Sequence, residues 1–514
     1  MELELKKSGF DAYDVGAELV LTQEETAETI VPDYCPDIAR IIDTEGKIFL
    51  HSRELHDGKA TVSGTVRVTV LYTPEGEGGI RTLEFAIPFS AESDSKAMPE
   101  CVFLCAATET EFLETRILNP RKVFTHCKLV TRLTGYRRAP LAFCSDVTAD
   151  AGLCLEKKSE QQPTTILTQI AEKDFTFSDE INLSSGKEGA AEILTSSVTG
   201  TVTETKIVGS KLILKGLFQI QLLYRTADGH CCAASGELPF SQIMEVEGAD
   251  ENASVSVQLQ FTGTDIQVGN SGQDGRQIMV TLYLHAVAIL RREETLTLLC
   301  DLYSTTYDLS YEVEPVLLTD FSEPLTQRQP VKEVLETGVV AESLLCVNVT
   351  CGSVSVNREG DSTALRTGAT VRALYLDEGG VPLVAERCID VSCQMDLPAD
   401  CRVSARACCP EEVQSSIGAH GIEVRFPVEF QAQSSTRKKR VCIASVKVSA
   451  DTPKDLSGAP SLVLRALGKE ETLWALAKQY NTTMSAILTA NGLESEGEIP
   501  PEKLLLIPRR RVAT

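Results

Sequence analysis

Most of the chain alternates apolar and polar residues with a period of two. Residues 58–72 (GKATVSGTVRVTVLY), 210–224 (SKLILKGLFQIQLLY) and 421–433 (GIEVRFPVEFQAQ) are the clearest stretches. In the last of these, Ile422, Val424, Phe426, Val428 and Phe430 fall on one face. Such runs, rich in Val, Thr and aromatic residues, read as half-buried strands. Gly-, Asp- and Ser-rich turns separate them at hairpin spacing. Apolar-in, polar-out alternation predicts antiparallel sheets with one wet face, as in a sandwich or open barrel. The pattern does not fix the strand order.

The alternating segments recur. GTVRVTVLYTPEGEG from Gly64, GLFQIQLLYRTADGH from Gly216 and GATVRALYLDEGG from Gly368 lie at intervals of 152 residues. Each ends its strand in Leu-Tyr, at Tyr72, Tyr224 and Tyr375, before a turn. Upstream, ARIIDTEGKIFL from Ala39, AEILTSSVTGTV from Ala191 and AESLLCVNVTCG from Ala341 keep the same phase. Downstream, each copy carries a basic cluster: Arg137-Arg138, Arg291-Arg292 and Arg437-Lys438-Lys439-Arg440. Internal repetition at a fixed period predicts tandem units of one architecture. The units are expected at 1–150, 165–310 and 325–450. The common phase of the basic clusters places them at hairpin tips or on an edge strand, where lysine and arginine discourage aggregation.

Near residue 460 the period changes. Residues 451–460 are polar, with two Pro and one Gly, and read as a linker. From 461 to 509 the pattern is strand, helix, helix, strand. Leu462, Val463 and Leu464 open it, and Thr472 can cap a helix whose Leu473, Leu476, Ala477 and Tyr480 share one stripe. Asn481 ends that helix. Thr482 or Thr483 begins a second, with Met484, Ile487 and Leu488 inward, stopped at Asn491-Gly492. Leu504 to Ile507 closes as a strand, ended by Pro508. A module this small is marginal, so packing of Trp474, the only tryptophan, matters.

Charge and reactive side chains narrow the function. The 514 residues carry a formal net charge of −24, which disfavours a nucleic-acid partner. No run of about 18 apolar residues occurs, so no membrane-spanning helix is predicted. The start, MELELKKSGFDAYDVG, shows no apolar signal region, and cytoplasmic synthesis with reduced thiols is expected. Seventeen cysteines include no CxxC pair, and no metal or cofactor is expected. Most should be small buried hydrophobes, with cross-linking of an assembly as the other reading. The six histidines form no HExxH pair, and neither GxSxG nor GxxxxGK[ST] occurs. Gly76, Gly78 and Gly79 read as a hairpin turn rather than a phosphate cradle. His126-Cys127 and His230-Cys231 are neighbours that point to opposite faces of a strand. The chain is therefore not expected to be an enzyme.

VPDYCPDIARII at 31–42 opens the first repeat, with Asp37 placed to cap a short helix through Ile42. Asp33, Tyr34, Cys35 and Asp37 are either a site or a packed turn, and the turn is the preferred reading. Together with the 64–72 strand and LNPRKV at 118–123, this segment resembles the SPOCS domain of endospore-forming bacteria. The second unit resembles it less closely, and the third, which lacks the Pro-Asp opening, least. The resemblance implies a part in sporulation and spore-coat assembly, with synthesis in the mother cell and a place at the developing spore surface. It supplies no catalytic residues.

Thr472-Leu473-Trp474, Ala477, Tyr480, Ile487, Asn491-Gly492-Leu493 and Leu506-Ile507-Pro508 resemble a LysM domain along its whole length. That resemblance implies binding of N-acetylglucosamine polymers such as peptidoglycan. The groove would lie between 468–473 and 492–499, at Gly468, Lys469, Glu470, Glu471, Thr472, Leu473, Gly492, Leu493, Glu494 and Ile499. Loops at helix ends expose backbone N–H and C=O groups suited to N-acetyl groups. Here Glu470-Glu471 stands where the family often has Gly-Asp. Trp474 is expected in the core rather than as a platform for sugar. The module could instead dock a coat morphogenesis protein. The expected function is a non-enzymatic scaffold or adaptor that self-assembles through weak repeated contacts. The alternative is a wall-associated peptidoglycan-binding protein of vegetative cells, with or without hydrolytic activity.

Overall fold

The structure, a computed structural model, describes residues 3–509 apart from 77, 94, 97, 270–273, 360–361, 399, 411–412, 450–451, 459, 469–470 and 496–503. The first unit contains β1 (Leu3–Phe10), β2 (Tyr13–Ile30), β3 (Ile38–His56), β4 (Lys59–Pro74), β5 (Arg81–Ser93), β6 (Cys101–Asn119), β7 (Lys122–Arg138) and β8 (Leu141–Ala149). The second contains β9 (Leu155–Asn182), β10 (Ala190–Val208), β11 (Lys211–Thr226), β12 (Cys231–Glu245), β13 (Ser254–Val268) and β14 (Gln277–Ser304). The third contains β15 (Leu309–Phe321), β16 (Leu325–Leu335), β17 (Ala341–Cys351), β18 (Ser355–Glu359), β19 (Ser362–Asp377), β20 (Pro382–Met395), β21 (Arg402–Cys408), β22 (Gln414–Gly418) and β23 (Gly421–Val448).

All three units share one plan of antiparallel pairing. One sheet is β3-β4-β5 in the first unit and β10-β11-β12 in the second; in the third, β19 lies between β20 and β17 with β18. The other sheet places β7 between β2 and β6, β14 between β9 and β13, and β23 between β16 and β21 with β22. The two sheets of each unit enclose its core. Val66, Val68, Val70 and Tyr72 line the first core, Phe218, Ile220, Leu222 and Tyr224 the second, and Val371, Ala373 and Tyr375 the third. Ile422, Val424, Phe426, Val428 and Phe430 are all buried, as their alternation requires. Burying each such side chain is worth about 1.5–3 kcal/mol.

The recurring tyrosines close the sheets at one end. The Tyr72 hydroxyl donates to the Pro36 carbonyl at 3.2 Å, and Tyr224 donates to the Glu188 carbonyl at 3.0 Å, each 36 residues upstream. The 31–37 segment forms a turn in which Arg121 is the fastener. Its guanidinium donates to the carbonyls of Cys35 (2.7 Å) and Val31 (2.9 Å) and to the carboxylates of Asp37 (3.1 Å) and Asp33 (3.2 Å). This explains why VPDYCPD and LNPRKV occur together. The short helix expected after Asp37 is absent: residues 38–56 are strand β3, because Ile38 and Ile41 pair with Pro74 and Tyr72 of β4. Cross-strand pairing supplies more partners there than an isolated helical turn could.

Each unit also projects a two-stranded ribbon. β1 pairs with β8, the first half of β9 with the end of β14, and β15 with the end of β23. The three ribbons share one core of Phe143, Leu298, Leu302, Val316, Leu318 and Ile443. A second shared core lies where the outer faces of the first sheets meet. Leu71, Leu223 and Leu374, each directly before its unit's tyrosine, pack there with Ile80 and Leu194. The expectation of one wet face per sheet therefore holds only away from this junction.

The basic clusters take a different place from the one expected. β7, β14 and β23 are central strands, and the clusters lie where these strands pass from unit body to ribbon. Arg291 stacks on Phe321 of the third unit and Arg292 on Phe10 of the first, at 4.8 and 5.1 Å from the ring centroids. Arg437 pairs with Asp14 across the first and third units. In the second and third units the clusters thus make contacts between units, whereas Arg137 of the first pairs with Asp14 and Glu100 of its own unit. Glycines 76 and 79 adopt positive φ of 73° and 92° in the β4–β5 turn, as the hairpin reading requires. All seventeen cysteines are free thiols. Six are buried, ten half-buried, and Cys388 is exposed, so burial accounts for fewer of them than expected.

Candidate functional site

The C-terminal module is built from β24 (Leu462–Ala466), α1 (Leu473–Gln479), α2 (Met484–Ala490) and β25 (Leu504–Pro508). Two threonines start the helices. Thr472 accepts from the Ala475 N–H and Thr483 from the Ala486 N–H, at 3.2 and 3.0 Å. Asn491 fastens the second helix to the sheet. Its amide donates to the Leu506 carbonyl at 2.8 Å and its side-chain oxygen accepts from the Leu506 N–H at 2.8 Å. Leu473, Leu476, Ala477, Ile487, Leu505 and Ile507 form the core.

The predicted groove residues divide by role. Leu473 is fully buried and Leu493 packs against the same core, so the first and second loops meet over it. Thr472 is occupied as a helix cap. Gly468, Glu471, Gly492 and Glu494 remain on the surface side, and Lys469, Glu470 and Ile499 lie outside the described residues. Glu471 fastens the first loop. One carboxylate oxygen accepts the Gly468 N–H at 3.1 Å and the other accepts Arg465 at 2.5 Å. A glutamate thus ties this loop to the strand before it. The Gly492 backbone, at φ 63°, ends α2, and no described neighbour lies within 4 Å of where a Cβ would stand.

The module is bolted to the β-units. Asp301, near the end of β14, accepts the Trp474 indole N–H at 2.8 Å, the Lys478 ammonium at 2.6 Å and the Tyr311 hydroxyl at 2.8 Å. Tyr303 donates to the Thr482 carbonyl at 2.8 Å and meets Trp474 edge-on, with centroids 5.0 Å apart. Lys454, from the connecting segment, donates to the Ser304 carbonyl and to Asn481 at 2.9 and 2.7 Å. Residues 451 and 459 of that segment are outside the described residues. Burial alone would raise the Asp301 carboxyl; hydrogen bonds from Lys478, Trp474 and Tyr311 outweigh it and hold the group below the usual carboxylate range. Burial would lower Lys478, and Asp301 with Tyr311 raises it instead. Trp474 is therefore a core residue that also seats the module, and Asp301, Tyr303, Tyr311 and Lys454 complete the seat. Nothing local in the sequence distinguishes these four.

Among the histidines, His285 is buried and faces Asp174 across the β9–β14 ladder at 2.7 Å. His126 contacts Glu24 at the surface, while Cys127 is buried in the opposite face. Among the described residues, no group of three or more His, Cys, Asp or Glu side chains is placed to hold a metal ion. No described helix is long and apolar enough to cross a membrane.

A series of sandwich-like β-units with a small two-helix module fixed to one end defines a modular, repeat-built protein. Residues 37–117 and 189–268 match the family model described as SipL, SPOCS domain, and residues 468–508 match the LysM domain. The chain thus joins two SPOCS-domain segments to a C-terminal LysM domain. The two SPOCS matches cover the same strands in their units, β3–β6 and β10–β13. No curated protein matches the chain.

Proposed function

We propose that this protein is a non-enzymatic scaffold of spore coat or envelope assembly, whose LysM module captures a partner at the developing spore surface. The SPOCS and LysM matches supply the sporulation and binding context. The observation that carries the scaffold reading is the seat on Asp301: it converts a short connecting segment into a rigid joint, so whatever the module binds is held at a fixed attitude to the β-units. The accessible surface also favours it. It measures 26787 Å², against about 18,000 Å² for a compact monomer of this mass. An open body of this kind offers many faces for lateral contacts, and repeated weak contacts gain from effective concentration.

The groove assignment is part of the proposal. Gly468, Glu471, Gly492, Leu493 and Glu494 border the binding face, which takes an N-acetylglucosamine polymer or a coat morphogenesis protein. A fluorescent fusion should gather at the forespore surface during engulfment; a fusion that stays diffuse throughout rejects the scaffold. The wall-associated reading is favoured by the LysM match alone. Purified sacculi should then retain the full chain and release a Gly492→Arg variant, and failure of sacculi to bind leaves the protein partner.

A further inference from the structure

The outer faces of the three first sheets invite a direct comparison, because the register makes them equivalent. One cross-strand row reads Glu45, Thr69 and Glu84 in the first unit. The same row reads Asn348, Arg372 and Glu386 in the third and Ser197, Gln221 and Ser235 in the second. Where the third unit meets the first, the row is filled by charge. Arg372 lies 3.2 Å from Asp43 and 2.5 Å from Glu386, and donates to the Thr44 carbonyl at 3.3 Å. Where the first meets the second, Lys47 spans the joint to Ser196 at 3.0 Å.

Between the second and third units the matching residues are short and uncharged, and a cleft of about 230 Å³ remains. Thr195, Ser197, Gln221, Ser235, Asn348 and Ser415 line it. Among the described residues none of these six side chains has a hydrogen-bond partner, and their polar atoms reach solvent. Leu223, Leu344 and Val347 add an apolar wall. Among the described residues Lys187 is the single charged one on the lining, and it already donates to the Ala233 carbonyl at 2.7 Å.

We infer that this cleft is a binding site for a small uncharged molecule rich in hydroxyl and amide groups, of the size of one N-acetylhexosamine. Size, lining and charge each contribute. At about 30 Å³ per water the space exceeds a few solvent molecules. Six convergent donors and acceptors beside an apolar wall match a pyranose, which has polar edges and C–H faces. A cation would lose hydration without gaining a counter-charge from the described lining residues, and an anion would meet only the Lys187 ammonium, which is shared with the Ala233 carbonyl. The site lies on the repeats and is independent of the LysM groove.

Saturation-transfer NMR on the full chain with N-acetylglucosamine, and with glucuronate as the charged comparator, tests the inference. Gln221→Arg installs the side chain that the third unit carries at the equivalent position, and Asn348→Leu removes an amide from the facing strand. N-acetylglucosamine should receive saturation from the unaltered chain. In the Gly492→Arg background, where the module's own groove is blocked, transfer should persist, and adding either cleft substitution should weaken binding at least about tenfold. Near-UV circular dichroism verifies each fold, and Asn348→Leu decides alone if Gln221→Arg does not fold. Absence of transfer to the folded Gly492→Arg chain, survival of transfer when a cleft substitution is added to that chain, or equal binding of glucuronate to it would each overturn the assignment.

Discussion

Replacing Asp301 by alanine should free the LysM module from the β-units while leaving both folded. The carboxylate accepts three hydrogen bonds, from Trp474, Lys478 and Tyr311. Bonds to a charged group are worth about 1.5–3 kcal/mol each. They share one acceptor and do not add independently. The side chains of Lys478 and Asp301 are 35% and 24% exposed, so solvent screens part of the ionic contribution. A total of about 2–3 kcal/mol follows, or about a 30- to 150-fold larger undocked population. Two readouts report it. Trp474 is the only tryptophan, so its emission should shift to the red as the indole leaves Tyr303 and meets water. Lys454, whose backbone N–H donates to Thr306 and whose ammonium donates to Ser304, should become a tryptic site. Cleavage tracks the open population when reclosing is fast. An Asp301→Ala protein with unchanged emission and an unchanged cleavage rate at Lys454 would refute this account of the seat.

Further outcomes follow from other contacts. Arg121→Ala should lower stability by about 2–3 kcal/mol, read as a reduced denaturation midpoint, because four acceptors in the 31–37 turn lose one donor. Tyr72→Phe and Tyr224→Phe should each cost about 1 kcal/mol by chemical denaturation. Among the described residues the Tyr375 hydroxyl has no such partner, and Tyr375→Phe should be close to neutral. Docking should be flat from about pH 5 to 9 when followed by Trp474 fluorescence. Asp301 has a depressed folded value, so its contribution is present above its unfolded value near 4 and is lost as pH falls through the folded one. Lys478 is raised, so its contribution is complete below about 10.4 and is lost only as pH rises through the folded value.

The repeat and the small module were legible because both are written in local periodicity. Alternation identified the buried face of residues 421–433, and the threonine caps and Asn-Gly stop located both helices. Residues 38–42 misled because a proline-aspartate pair before an apolar run signals a helix start equally well. What decided for strand was β4, whose pairing residues lie over thirty positions away. The arginine clusters were visible, but the aromatic and acidic residues that receive Arg291, Arg292 and Arg437 belong to other units. Phe321 for Arg291 and Asp14 for Arg437 are set by how three units close on one another, which period-two patterning cannot express. Asp301 was silent for the same reason. It is one acid among seventy-three acidic residues, and only the folded chain brings it to Trp474.

The 28-residue strands carry a mechanical consequence. β14 runs from Gln277 in the body of the second unit to Ser304 beneath the LysM module, paired with β9 throughout apart from register shifts at Leu290/Arg291 and Leu299/Asp301. A load on the module therefore enters at Asp301 and Tyr303 and is drawn lengthwise along a ladder of backbone hydrogen bonds. Bonds strained in that direction must yield together instead of unzipping in turn.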